Sequence, residues 1–107
     1  MVFVELVRRK YRPSLNLFYY VAADGYEVDF LLRQGSKNQE LIQVTWNMSE
    51  QKTREREIRA LQHAASELNT QKVRIITWDQ AETIQTGNTN IVVEPVRQWL
   101  LQQSQDR

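Results

Sequence analysis

The order of hydrophobic periods in the middle of the chain restricts its possible folds more than any other feature. Residues 41–46 and 73–78 are short apolar runs that predict strands, and an amphipathic helix lies between them. This helix is indicated by apolar residues at helical spacing, namely Ile58, Leu61, Ala65 and Leu68. A strand, a helix and a second strand form a crossover that returns the chain to a parallel position in the same sheet. We therefore expect an α/β domain with at least one parallel strand pair.

An antiparallel meander is predicted before this crossover. Residues 15–22 and 26–33 are dense in aromatic and aliphatic side chains, and the pair Asp24-Gly25 between them is a strong turn signal. The loop before the strand at 41–46 contains three turn-forming residues, Gly35, Ser36 and Asn38. Because these three strands follow one another closely, we expect them to pair as antiparallel neighbours, which makes the sheet mixed.

Helices are expected on both flanks of this sheet. Residues 2–10 predict a short helix with an apolar stripe formed by Val2, Val4, Leu6 and Val7. Residues 91–93 predict an edge strand, and Pro95 is a favourable first residue for a last helix. The main helix begins at a cap formed either by Asn47 or by Ser49. The predicted fold is a mixed sheet with an antiparallel meander, a crossover helix and flanking N- and C-terminal helices.

Composition narrows the class of protein further. A chain of 107 residues with 41% hydrophobic residues is typical of one folded domain, here residues 1–107. A net charge of +1 gives no global sign of a nucleic-acid or membrane partner. The absence of cysteine and of any long apolar run favours a cytoplasmic protein without a membrane segment. Trp46, Trp78 and Trp99 are assigned to the core, because a small domain needs large side chains to fill it.

Polar residues gather on one face of the second and third strands. Regular alternation places Val28, Phe30 and Leu32 on one face of the second strand and Glu27 and Asp29 on the other. A hairpin centred on Ser36 pairs Asp29 with Gln43 and Glu27 with Thr45. Carboxylate, amide and hydroxyl oxygens are ligands that Mg²⁺ accepts. The alternative is that these side chains line an ordinary solvated face of the sheet.

Two short segments carry a resemblance to known nucleases. Residues 25–30, Gly-Tyr-Glu-Val-Asp-Phe, and residues 42–45, Ile-Gln-Val-Thr, resemble the core motif of the PD-(D/E)xK, restriction-endonuclease-like superfamily. Residues 52–58, 75–79 and 95–101, with the opening residues 2–6, are similar to the C-terminal domain of unknown function of prokaryotic AAA-type ATPases. The similarity covers about residues 2–101. It implies a P-loop ATPase domain in the same parent chain, which we expect before residue 1 because no Walker A motif occurs here.

The resemblance implies site residues, some of which depart from the motif. Asp29 occupies the metal-binding acid of the motif, and Glu5 occupies a helix acid that some relatives add for Mg²⁺ or Mn²⁺. Gln43 replaces the second acid and is expected to ligate the metal through its uncharged carbonyl oxygen. Thr45 replaces the lysine that stabilises charge on the phosphate. Substitute cations are sought at the start of the main helix, in Lys52, Arg54 and Arg56.

The segment 52–59 alternates basic and acidic residues, which favours ion pairs within the helix. Arg56 and Glu57 in this segment coincide with the family-like signature.

Two functional hypotheses follow. In the first, the domain is a catalytically degenerate nuclease fold that binds DNA, a partner protein or its own ATPase module. In the second, it is an active Mg²⁺- or Mn²⁺-dependent DNA nuclease with a relocated catalytic Lys or Arg. Thr45 and Gln43 favour the first hypothesis, whereas Glu27 and Asp29 keep the second open.

Overall fold

The computed structural model describes residues 2–9, 11–13, 16–23, 25–35 and 37–102, so the predictions that involve Lys10, Leu15, Asp24 and Ser36 lie outside the described residues. The helices are α1 (Val2–Arg8), α2 (Gln51–Leu68) and α3 (Val96–Gln102). The strands are β1 (Leu17–Val21), β2 (Glu27–Gln34), β3 (Lys37–Val44), β4 (Lys72–Thr77), β5 (Glu82–Thr86) and β6 (Thr89–Pro95). None of the helices within these described ranges is long and apolar enough to cross a membrane.

Six strands of the described residues form one mixed sheet in the order β1-β2-β3-β4-β6-β5. The first three strands make the antiparallel meander, and α2 carries the chain from β3 to the parallel neighbour β4. β6 is parallel to β4, and β5 pairs antiparallel with β6 at the edge. The predicted mixed α/β fold is therefore confirmed, with its crossover helix and its flanking helices.

The sheet separates two hydrophobic clusters. One face packs on α2 and includes Leu41, Leu61 and Ile75, all of which are fully buried. The other face packs on the terminal helices and includes Leu6 of α1 and Trp99 of α3. We call these the α2 face and the terminal-helix face. Each face of the sheet thus buries its own set of apolar side chains, as strand alternation requires.

A β-bulge interrupts the alternation of β2. Phe18 pairs with Leu31 and Tyr20 pairs with Val28, so β2 contains one more residue than β1 across this interval. The predicted common face for Val28, Phe30 and Leu32 is therefore wrong. Val28 lies in the cluster against α2, whereas Leu32 lies in the opposite cluster and Phe30 packs against that one. An extra residue reverses the direction of every side chain that follows it.

The C-terminal strands also differ from the prediction. Residues 91–93 belong to β6, which is an interior strand, so their assignment to an edge is wrong. The edge strand is β5, which the sequence analysis missed because its side chains are mostly polar and exposed. It joins β6 through a tight turn in which Gly87 has a φ of 57°, a conformation that glycine adopts without strain.

Helix α1 buries a different stripe from the one predicted. Val4 and Val7 are exposed, whereas Glu5 is buried beside Val2 and Leu6. The Glu5 carboxylate accepts hydrogen bonds from Arg8 and Arg9, which compensate its charge. A short helix on the surface of a sheet buries only the side that faces the sheet, and the sequence did not reveal which side that is.

Neither predicted capping residue forms the N-cap of α2. The N-cap is Glu50, which makes no side-chain cap hydrogen bond, and the Asn47 side chain instead accepts a hydrogen bond from the Ser49 backbone. The helix ends at Asn69 in a left-handed conformation, which asparagine tolerates better than most residues.

The structure also corrects the assignment of the tryptophans. Trp99 is buried in the terminal-helix cluster as predicted, but 48% of Trp46 and 65% of Trp78 are exposed.

Candidate functional site

The residues singled out in the sequence meet at one edge of the sheet. The parallel strands β3, β4 and β6 all end there, and β2, which is antiparallel to β3, begins there. Helix α3 starts at the same edge because it follows β6 directly, and α2 starts near it, with six residues between its start and the end of β3. We call this side of the molecule the carboxyl edge. Ligands of open α/β sheets commonly bind at the carboxyl ends of parallel strands.

The ladder between β2 and β3 is completed by side chains at this edge. Strand pairing follows the predicted register from Leu32 to Phe30, which pairs with Ile42, and shifts by one residue after Leu32. Beyond Phe30, the Asp29 backbone N–H donates to Gln43 Oε1 at 2.8 Å, and the Val44 N–H donates to Asp29 Oδ2 at 3.0 Å. Asp29 and Gln43 are therefore neighbours, as the register predicts, but they are linked through hydrogen bonds between side chain and backbone.

Glu57 completes this arrangement from α2. Its carboxylate accepts a hydrogen bond of 2.6 Å from Thr45 Oγ1 and bonds of 3.1 and 3.3 Å from Gln43 Nε2. Glu57 is buried because it lies one helical turn before Leu61, on the side of α2 that faces the sheet. We call Asp29, Gln43, Thr45 and Glu57 the polar cluster. Both residues that depart from the nuclease motif use their polar atoms to hold this helix carboxylate.

The electrostatics of the polar cluster are acidic. Burial raises the pKa of Asp29, and the charges of Glu57 and Glu27 raise it further, although the hydrogen bond from the Val44 backbone opposes the shift. At the exposed rim, a hydrogen bond to Glu27 raises the pKa of the Tyr19 hydroxyl. Glu27 joins the cluster through its backbone oxygen, which accepts a bond of 3.5 Å from Gln43 Nε2. Burial is thus the largest influence on the pKa of Asp29, and it outweighs the opposing hydrogen bond from Val44.

The other predicted site residues lie away from the polar cluster. Glu5 is part of α1, where Arg8 and Arg9 hold its carboxylate. Arg54 forms a two-bond ion pair with Glu82 of β5, at 2.6 and 2.8 Å, rather than a pair within its own helix. Lys52 and Arg56 are exposed on α2, and no hydrogen bond or ion pair within the described residues links either of them to Asp29.

The polar cluster does not fit a metal centre of the nuclease kind. Among the residues that the structure describes, no group of three or more His, Asp or Glu side chains is placed to hold a metal ion. The Gln43 carbonyl oxygen already accepts a backbone N–H, and the Thr45 hydroxyl donates to Glu57. Asp29 and Glu57 offer two carboxylates, and no cation among the described residues is bonded to either of them. The Mg²⁺ or Mn²⁺ site therefore stays a prediction from the resemblance.

Sequence reasoning singled out Glu57 but missed its contact with Gln43 and Thr45. The available signal was its position, since Glu57 precedes Leu61 by four residues and so shares the apolar face of α2. An acid at such a position needs polar partners on the facing strand. The side chains of Gln43 and Thr45 meet that need from β3.

Comparison with known proteins identifies a family without assigning an activity. The family model described as a domain of unknown function, DUF4143, matches residues 1–99. No curated protein and no solved structure matches the chain. Because the matched region covers nearly the whole sequence, this chain belongs to the DUF4143 family.

Proposed function

We propose that this domain is a DNA-binding module derived from a nuclease fold that has lost its catalytic centre and serves a prokaryotic AAA-type ATPase. The main support for the loss of catalysis is the polar cluster, in which Gln43 and Thr45 bind Glu57 through their side chains. These are the two positions at which the nuclease motif has an acid and a lysine. In this chain they stabilise the junction between β3 and α2.

The replacement of the motif's lysine by Thr45 argues against catalytic cleavage of DNA. Cleavage of a phosphodiester develops negative charge on the phosphate, and removing one group that stabilises such charge costs on the order of 10²-fold in rate or more. Thr45 supplies no charge, and the Arg54 guanidinium is held in an ion pair by Glu82 of β5. Burial and the carboxylates of Glu57 and Glu27 raise the pKa of Asp29, so a phosphate placed directly beside Asp29 is disfavoured.

DNA binding is supported by the exposed side of α2. Lys52, Arg56 and Arg59 recur at intervals of four and three residues, which places them along one stripe of the helix. All three are exposed, and no ion pair within the described residues uses them. The exposed acid Glu55 shares this stripe, so cations outnumber acids on it by three to one. A surface with such an excess of cations can bind a phosphate backbone without reading its sequence. Because the net charge of the chain is only +1, this stripe is a local feature.

Association with an ATPase rests on the resemblance of residues 2–101 to domains that follow AAA-type modules. In such a machine, a domain that holds DNA without cutting it positions the substrate while the ATPase supplies the energy. A P-loop ATPase module in the same parent chain is therefore part of the proposal.

Fluorescence anisotropy with a labelled DNA duplex tests the binding step. We expect affinity to fall steeply as salt rises from about 50 to about 200 mM. The double variant Lys52→Gln/Arg56→Gln should lower the salt slope by about 2, because each lost phosphate contact removes about 0.9. The matched control, Lys37→Gln/Lys72→Gln, removes two exposed charges at the starts of β3 and β4, on the opposite edge, and should bind as the wild type does.

The proposed loss of nuclease activity is tested separately. The wild-type protein and Asp29→Ala are incubated with plasmid DNA and Mn²⁺, and metal binding is followed by calorimetric titration. We expect neither cleavage nor Asp29-dependent binding at millimolar metal. Cleavage that disappears in Asp29→Ala would replace this proposal with the active-nuclease alternative. Failure to bind DNA at low salt would leave a protein partner as the better proposal.

A further inference from the structure

Two tryptophans form an exposed pair at the carboxyl edge. Trp46 follows the end of β3, Trp78 follows the end of β4, and their rings lie 6.2 Å apart at an angle of 72°. The parallel ladder continues up to the pair, because the Trp78 N–H donates to the Trp46 carbonyl at 3.1 Å. Exposures of 48% and 65% leave much of each indole open to solvent, whereas Trp99 is 1% exposed.

The loops that carry this pair are cross-linked. Gln80, two residues after Trp78, accepts a hydrogen bond of 2.6 Å from the Met48 backbone through its side chain. The Gln80 backbone also bonds to Thr77 Oγ1, which fixes the turn after β4. Met48 itself is buried and anchors the turn after β3. The tryptophans are therefore held in place before any ligand binds, which lowers the entropy cost of binding.

Exposed cations occur on the two helices that start towards the carboxyl edge. Lys52 lies in the first turn of α2, six residues after Trp46. Arg97 lies at the start of α3, two residues after Pro95, which is the strand partner of Thr77. Asp79 is exposed next to Trp78, and the pair therefore sits in a mixed field rather than in a strongly basic one.

We propose that Trp46 and Trp78 form a stacking platform for unpaired bases of single-stranded DNA. The inference rests on the proposed DNA-binding function and names the form of DNA that the carboxyl edge takes. The edge-to-face geometry presents two indole faces in different directions, and each can stack on one base. Stacking on aromatic faces tolerates any sequence because every base has a π-face, and nearby cations contact the backbone between the stacked bases.

Anisotropy titrations with labelled oligo(dT), which does not pair with itself, and with a duplex of equal length test the platform. The wild type should bind oligo(dT) more tightly than the duplex. Trp46→Ala and Trp78→Ala should each weaken oligo(dT) binding by about 5- to 100-fold, the range that aromatic stacking contributes per base. Trp78→Phe keeps an aromatic face and should recover most of the affinity. Val4→Ala, an exposed apolar control on α1, should have no effect.

The outcomes separate this inference from the proposed function. If the wild type binds the duplex but neither alanine variant changes oligo(dT) binding, the platform is refuted and the DNA-binding module stands. If neither DNA form binds, both proposals fail. If the alanine variants alter only self-association, measured by sedimentation velocity, the pair is a contact between two copies of the chain and the platform is refuted. The fluorescence of buried Trp99 and circular dichroism report whether each variant is folded.

Discussion

Two buried glutamates on opposite faces of the sheet are stabilised in different ways. Glu94 of β6 is 4% exposed and pairs with Arg74 of β4, which also binds Glu40 at 2.8 Å. Gln102 of α3 completes this network through both polar atoms of its amide. Glu57 on the α2 face is 8% exposed, and the side chains that donate hydrogen bonds to it, Gln43 and Thr45, are both neutral.

This contrast shows two ways in which the fold accommodates a buried carboxylate. On the terminal-helix face, a guanidinium binds two carboxylates and joins β3, β4, β6 and α3, an arrangement that balances charge within the fold. At the carboxyl edge, Glu57 and Asp29 share a small volume with no cation bonded to either within the described residues.

The largest expected loss of stability is that caused by Arg74→Met. This substitution leaves Glu40 and Glu94 without their cation, and breaking a buried ion pair costs about 3 to 5 kcal/mol of the free energy of unfolding. Urea unfolding followed by circular dichroism measures the loss. Arg54→Met is the matched control, because its pair with Glu82 is largely exposed and contributes about 1 kcal/mol or less. Equal losses in the two variants would contradict the structural role of the Arg74 network.

A smaller loss is expected from Glu57→Ala. The substitution leaves the Gln43 amide and the Thr45 hydroxyl without their acceptor, at a cost of about 1 to 3 kcal/mol. Glu57→Gln keeps an acceptor oxygen while removing the charge, so it should retain most of the stability. Urea unfolding at neutral pH distinguishes the two variants. If Glu57→Gln were as unstable as Arg74→Met, the charge of Glu57 would be essential to the fold, and the contrast between the two clusters would disappear.

The smallest change in the free energy of unfolding is expected from Asp29→Asn, and this change is a gain in stability. Burial and neighbouring carboxylates raise the pKa of Asp29 in the folded state, so protonation favours folding. The stability gained from this preference is fully present below the unfolded pKa of about 3.9 and is lost as pH rises through the folded pKa. Asp29→Asn should therefore be more stable than the wild type at pH 7 and nearly equal to it near pH 4. Urea midpoints at the two pH values measure this, and a variant less stable than the wild type at pH 7 would show that the Asp29 charge is stabilising.

The sequence predicted the parts of the site that depend on strand order and register. Because the turn signal around Gly35 and the apolar runs define the hairpin, the pairing of Phe30 with Ile42 and the proximity of Asp29 and Gln43 could be read from residue numbers. The bulge in β2 could not be read in this way, since it depends on how β1 and β2 pack together. The approach of Glu57 to Gln43 also depends on packing between two elements, which local patterns do not encode.

The sequence by itself determined the mixed α/β fold. The apolar residues change from the spacing of a strand to the spacing of a helix and back between β3 and β4, and few folds other than a crossover to a parallel strand accommodate that order. The sequence also placed Asp29 and Gln43 on neighbouring strands. Only the tertiary structure decided that Gln43 and Thr45 hold Glu57, that Val4 and Val7 face outward, and that Trp46 and Trp78 meet at the surface. The physical reason is that periodicity specifies which residues share a face, whereas the packing of one element on another decides which face is covered.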